Sequence, residues 1–169
     1  MDIDIRKLLL NKAGALLARR AYSRMDLQTK LAEFADEQQV ESALRHLERL
    51  NLLNDSDYAY NFALRRIRRH GWGPVRVQNA LLAHHVGRAI IERALEQVRM
   101  ESGGEESVIR EYVHKRYGKR GLPADPKGVR KLILHLRQRG FDEETIFGAL
   151  RGDIPDAVLQ HFETGESID

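Results

Sequence analysis

The chain has no cysteine among its 169 residues. That excludes a disulfide scaffold, a thiolate zinc site, an iron–sulfur cluster and a Cys nucleophile. Long apolar runs are missing too: stretches such as Leu8-Leu9-Leu10 fall far short of the ~20 residues that span a bilayer. The opening Met1-Asp2-Ile3-Asp4-Ile5 carries acids where a secretory signal would carry cations, so no membrane association and a cytosolic address are expected. With four Pro and 31% charged residues, the composition fits a folded chain and not a low-complexity one.

Signals for chemistry are equally sparse. The seven His form no H-E-x-x-H pattern. The adjacent His84 and His85 would point about 100° apart on a helix, unlike the i, i+4 pairs that share a metal. Gly71-Trp72-Gly73 resembles the start of a phosphate loop, but no G-K-[ST] follows and no strand precedes it, so it reads as a helix break. Glu105-Glu106 and Asp142-Glu143-Glu144 read as acids at helix starts rather than as acid–base pairs. No catalytic residue, metal or cofactor is expected, and binding ranks above catalysis.

What is present is helix and asymmetric charge. Val40, Ala43, Leu44 and Leu47, and again Val129, Leu132, Ile133 and Leu136, follow the i, i+3, i+4, i+7 spacing of an apolar helix face. Ser23-Arg24-Met25-Asp26 has the form of a capping box, Asp55 and Asp142 suit N-caps, Pro74 suits a first helical position, and Gly140 suits a helix end. Nine helices are expected, near 5–20, 24–34, 37–51, 56–70, 74–84, 88–100, 105–118, 127–138 and 143–150.

These helices repeat in threes. Ala43-Leu44, Ala94-Leu95 and Ala149-Leu150 close three similar groups; counting back, Leu27, Val77 and Leu132 align, as do Leu31, Leu81 and Leu136. The expected fold is all-α, with three tandem three-helix repeats over 1–53, 54–101 and 105–152 and an acidic C-terminal tail over 153–169. Such units, stacked in line, should form an elongated, curved monomer.

Charge follows the same division. Residues 1–57 carry net −1, residues 58–139 net +11 and residues 140–169 net −7; Tyr58 to Ile91 holds six Arg and no acid. This is the footprint of a polyanion or acidic protein partner, or else of a solvated basic face partly neutralised by the tail. Arg65, Arg68 and Arg69 stand at i, i+3, i+4 as one stripe flanked by Arg66, with Arg76 and Arg88 beyond. Trp72 is either a plug sealing the repeat or an exposed stacking residue. In the third unit, Lys115, Arg116, Lys119 and Arg120 surround Tyr117, a pattern that suits phosphate and base contact. Arg130 and Lys131 complete the candidate partner-binding or nucleic-acid-binding set.

The string Arg20 to Leu31, Leu50 to Asp55 with Tyr58-Ala59 and Phe62, Gly73 to Val77, and Lys115 to Gly118 through Gly140-Phe141 together resemble the RecX family of bacterial regulatory proteins. The family tends to carry an acid where Asn79-Ala80 stands and a Lys-Gly pair where His84-His85 stands. The resemblance implies a non-enzymatic modulator of the RecA recombinase. It would bind RecA filaments on single-stranded DNA and restrain ATP hydrolysis, filament growth and strand exchange. A general helical nucleic-acid-binding module, contacting DNA directly, is the alternative.

Overall fold

The computed structural model describes residues 3–163, over which the chain is helical. The order is α1 (Ile3–Leu17), α2 (Arg24–Leu31), α3 (Glu37–Arg49), α4 (Asp55–His70), α5 (Pro74–Ala83), α6 (Arg88–Glu101), α7 (Glu105–Tyr117), α8 (Pro126–Gln138), α9 (Glu143–Leu150) and α10 (Asp156–Glu163). A single 3-10 turn, Gly118–Arg120, follows α7. Nine of these helices fall where spacing and caps put them. The tenth, α10, lies in the segment read as an acidic tail. Its core contribution includes Leu159, exposed by only 2%; the eight-residue stretch Asp156–Glu163 is shorter than the window over which helical periodicity registers.

Local chemistry sets most helix ends. Asp36 accepts the Gln39 amide while the Gln39 side chain accepts the Asp36 amide, a complete capping box. Asp125 and Asp142 accept the amides of Gly128 and Thr145. Two caps depart from expectation. Ser23 does accept the Asp26 amide, but Asp26 pairs with His84 Nδ1 at 2.8 Å instead of reaching back. The start of α4 is capped by Asn54, whose side chain accepts the Ser56 and Asp57 amides, and not by Asp55. At helix C-termini, Asn51, His85, Gly103 and Gly140 take positive φ. Each lets the next amide reach a carbonyl five residues back, for example Val86 to Leu81 and Phe141 to Leu136.

Tertiary contacts gather the chain into two compact units: Met1–Phe62 with Asn79–Ala94, and Ala63–Gln78 with Leu95–Asp169. In the first, α1, α2 and α3 enclose Leu9, Leu27, Leu31, Leu44 and Leu47. In the second, α7, α8 and α9 pack together with α10 against α8, burying Ile109, Leu132, Leu136, Ile146 and Leu150. The positions that align in the repeat are those that are buried: Leu27, Val77 and Leu132, then Leu31, Leu81 and Leu136, are each no more than 1% exposed.

The same joint occurs once in each unit. The buried Ser23 hydroxyl donates to the His84 carbonyl at 2.7 Å. At the aligned positions of the second unit, the Gly73 amide donates to the Arg139 carbonyl at 2.7 Å, and Val75 to Gly140 at 3.3 Å. In both, the residue opening one short helix satisfies a carbonyl where a later short helix ends, so two sets of orphan backbone groups are paired at once. No helix among the described residues is long and apolar enough to cross a membrane.

Candidate functional site

Helix α4 separates its faces by residue type. Tyr58, Ala59, Phe62, Ala63 and Ile67 are buried, Arg65, Arg68 and Arg69 are exposed, and Arg66 is half-buried. Apolar burial fixes the rotation of the helix, and the i, i+3, i+4 cations are carried outward as a consequence.

Within the second unit the expected cations sort into two groups. Arg68 and Arg69 line, with Lys115, a cleft of about 380 Å³ that also includes Ile67, Glu101, Glu111 and Tyr112. Arg68 donates to the Glu101 carbonyl at 3.0 Å. Lys115 pairs with Glu111 at 2.5 Å, and this hydrogen bond holds the Glu111 carboxyl below its ordinary range, with Arg68 adding to the effect. Neither Arg65 nor Arg69 has an ion-pair or hydrogen-bond partner among the described residues.

The second group is a stack. The guanidinium carbons of Arg66 and Arg76 lie 4.7 and 4.2 Å from the centroid of the Trp72 ring. Trp72 itself is half-buried. It is therefore neither a sealed plug nor a bare stacking surface, but a platform carrying two cations.

The residues that hold this platform were not legible in the sequence. Arg139 donates to the carbonyls of His70 and Gly71, its Nε donates to His135 Nε2 at 3.0 Å, and its guanidinium lies 4.1 Å from the Tyr112 ring centroid. Tyr112 and His135 stack, with hydroxyl and Nε2 2.8 Å apart. Burial, then the charges of Arg116 and Arg139, push the His135 imidazole below its ordinary value, which keeps Nε2 free to accept. Gly71, at φ +58, lies so close to Tyr112 that a side chain there would overlap the ring. The only available signal was Arg139 before Gly140, which spacing alone reads as a cation near a helix end.

The other candidates are dispersed. Arg116 donates to the Tyr112 hydroxyl at 3.4 Å and lies 5.9 Å from the Tyr117 ring. Arg120 is exposed at the end of the 3-10 turn, while the Lys119 side chain lies outside the described residues. Arg130 and Lys131 are exposed on α8. Arg88, exposed at the start of α6, belongs to the first unit. Among the described residues no three His, Asp or Glu side chains group as metal ligands. The chemistry on offer is recognition of oxyanions by guanidinium groups.

Comparison with known proteins supplies a family context. Residues 54–95 match the family model described as RecX, second three-helix domain. A regulatory protein RecX of Thermus thermophilus is 39% identical over 100 residues, covering 59% of this chain and 68% of that protein. One of Chlorobaculum tepidum is 32% identical over 148 residues, covering 86% of this chain and 88% of its own length. The crystal structure of RecX from Lactobacillus salivarius superposes with a TM-score of 0.67 at 20% identity, covering 95% of this chain and 98% of that one. At that identity the structural likeness is one of fold.

Proposed function

The chain belongs to the RecX family of regulatory proteins, and from that premise we propose that it is a non-enzymatic modulator, mainly an inhibitor, of the RecA recombinase. It binds RecA–DNA filaments and restrains ATP hydrolysis, filament growth and strand exchange in DNA repair and the SOS response. The observation supporting this reading is the cationic surface of the second unit. Arg65 and Arg69 are exposed and without acidic partners among the described residues, and Trp72, three residues after Arg69, carries two further guanidiniums. Exposed cations left without counter-charges offer little to stability and much to association with an anionic assembly. Arg65, Arg66, Arg68, Arg69, Trp72 and Arg76 form the proposed centre of contact. Lys115, Arg116, Lys119, Arg120, Arg130, Lys131 and Arg88 are secondary to it. Inhibition then follows from differential affinity: a ligand that prefers one state of the filament shifts the population toward it.

The test compares two affinities, one for bare single-stranded DNA and one for the same strand coated with recombinase and a non-hydrolysable nucleotide. A filament modulator binds the coated strand more tightly and lowers ATP turnover in proportion to occupancy. A plain nucleic-acid module prefers the bare strand and loses affinity steeply with salt. Preference for the bare strand with unchanged ATP turnover refutes the proposal.

A further inference from the structure

The first unit carries an apolar surface that its own packing leaves open. Helix α3 ends in a left-handed turn at Asn51, φ +55, where the Leu52 amide donates to the Leu47 carbonyl at 2.9 Å. Leu50 and Leu52, on either side of that turn, are 55% and 58% exposed. The same kind of turn closes α6, with Gly103 at φ +71 and the Gly104 amide on the Arg99 carbonyl. There the sequence is Glu101-Ser102-Gly103-Gly104, so the turn itself does not require leucines. Both leucines border a groove of about 640 Å³, which makes them part of one apolar patch and not isolated surface residues. Helix α1 lines it with Leu10, Gly14, Leu17 and Ala18, and a Cβ built on Gly14 meets no atom within 4 Å. No Lys or Arg lines the groove. Of its two titratable lining side chains with a charge to offer, His46 contacts the Arg6 guanidinium at 3.2 Å. The other, Asp57, is exposed, and its carboxylate makes no ion pair or hydrogen bond among the described residues. An acid in the first turn suits the α4 dipole and remains open to a cation.

We propose that this groove is a protein-directed contact: it takes a large apolar side chain from a helix of the recombinase, with a Lys or Arg one helical turn away reaching Asp57. This rests on the functional reading above and deepens it, adding a surface outside the cationic set. Charge decides the occupant. A nucleic-acid strand brought here would set its phosphates against an acid with no Lys or Arg to answer them, the reverse of the complementarity that association needs. A helix supplies an apolar side chain and a cation from one face, because residues three or four apart are neighbours there. Burial of the apolar side chain between α1 and the Leu50–Leu52 turn supplies the affinity. The pair at the exposed Asp57 selects the partner more than it strengthens the complex.

The full chain is measured by biolayer interferometry on immobilised single-stranded DNA, bare and coated with recombinase and a non-hydrolysable nucleotide, with helicity and the urea midpoint as folding controls. Leu50→Ser with Leu52→Ser should weaken binding to the coated strand about tenfold. The slope of log affinity against log salt and the affinity for the bare strand should not change, because no cation is removed. Asp57→Asn should weaken binding to the coated strand roughly two- to threefold, and Asp57→Lys more. A third position reads the occupant directly. Ala18→Cys gives the chain its single thiol. A benzophenone attached there should cross-link under ultraviolet light to the recombinase, at a segment holding a large apolar residue with a Lys or Arg within about four positions.

Three outcomes overturn the proposal: the double leucine variant binding the coated strand as the wild type does, cross-links to DNA alone or to nothing, or a wild-type dimer in sedimentation that the leucine exchange dissolves, which gives the groove to a second copy of the chain. Any of these, with a wild-type chain that prefers the coated strand and lowers ATP turnover, removes the groove and leaves the family function. A wild-type chain without preference for the coated strand removes the functional reading, and the occupant proposed for the groove falls with it.

Discussion

The joint between Gly73 and Gly140 should be intolerant of a single added methyl group, and the glycines of this chain allow that cost to be divided into its parts. Gly140 has φ +91, and a Cβ built on it would stand 2.5 Å from the Arg76 amide nitrogen and 2.7 Å from the Arg76 Cβ. Gly152 has a similar φ of +87 with open space around the same atom. Gly14, inside α1, has neither a positive φ nor a neighbour within 4 Å. Backbone strain alone costs roughly 1–2 kcal/mol for a residue forced into the left-handed region, and overpacking against atoms that cannot withdraw adds about 1–3 kcal/mol. Gly152→Ala should therefore lose about 1–2 kcal/mol and Gly140→Ala about 2–5 kcal/mol. Gly14→Ala should gain about 0.5–1 kcal/mol, since alanine is the better helix former. Urea unfolding monitored by circular dichroism measures all three, with slopes that should stay equal if only stability changes. Trp72 emission gives a second readout at Gly140, because the clash falls on the residue whose guanidinium covers that ring. A Gly140→Ala protein no less stable than Gly152→Ala would refute the close-approach argument.

Three further outcomes are expected. Arg65→Glu with Arg69→Glu should leave stability within about 1 kcal/mol yet weaken inhibition of recombinase ATPase by tenfold or more, a loss of about 1.4 kcal/mol; the same exchange at Arg45 and Arg49 should do much less, and equal losses at both pairs would count against the stripe. Glu105 is pushed above its ordinary value, first by burial and then by the charge of Asp142. A carboxyl raised in the folded state favours folding while protonated and loses that advantage as pH rises through its folded value. Glu105→Gln should thus stabilise the protein near pH 7 by less than about 1 kcal/mol, given partial exposure, with the gain absent near pH 3.5; a gain that persists in acid contradicts the assignment. His85 holds φ +57 without being glycine, so His85→Gly should raise the thermal midpoint by an amount equivalent to up to about 1 kcal/mol, and a lowered midpoint would mean that the imidazole contributes contacts of its own.

Helix positions and the cationic face of α4 were encoded within short windows of sequence. They depend on periodicity and on caps formed by residues three or four apart, as at Asp36–Gln39 and Asp142–Thr145, and such interactions are decided before the chain has any tertiary structure. The all-α class and the buried pairs Leu27–Leu31 and Leu132–Leu136 follow from the same local rules. Where those rules failed, a distant partner had intervened. Asp26 has the spacing of a capping-box acid, but His84, fifty-eight residues on, claims its carboxylate. Arg139 looks like one more cation at a helix end, but it grips carbonyls nearly seventy residues earlier. The sequence around Trp72 is compatible with a buried plug or an open stacking face, and the fold instead lays the guanidiniums of Arg66 and Arg76 over its ring. The physical reason is common to all three: a side chain with several hydrogen-bonding or stacking options takes the one that tertiary packing brings within reach. Which turns meet is set by burial of the helices around them, while the residues in the turns decide whether so close an approach is sterically possible, as at Gly140.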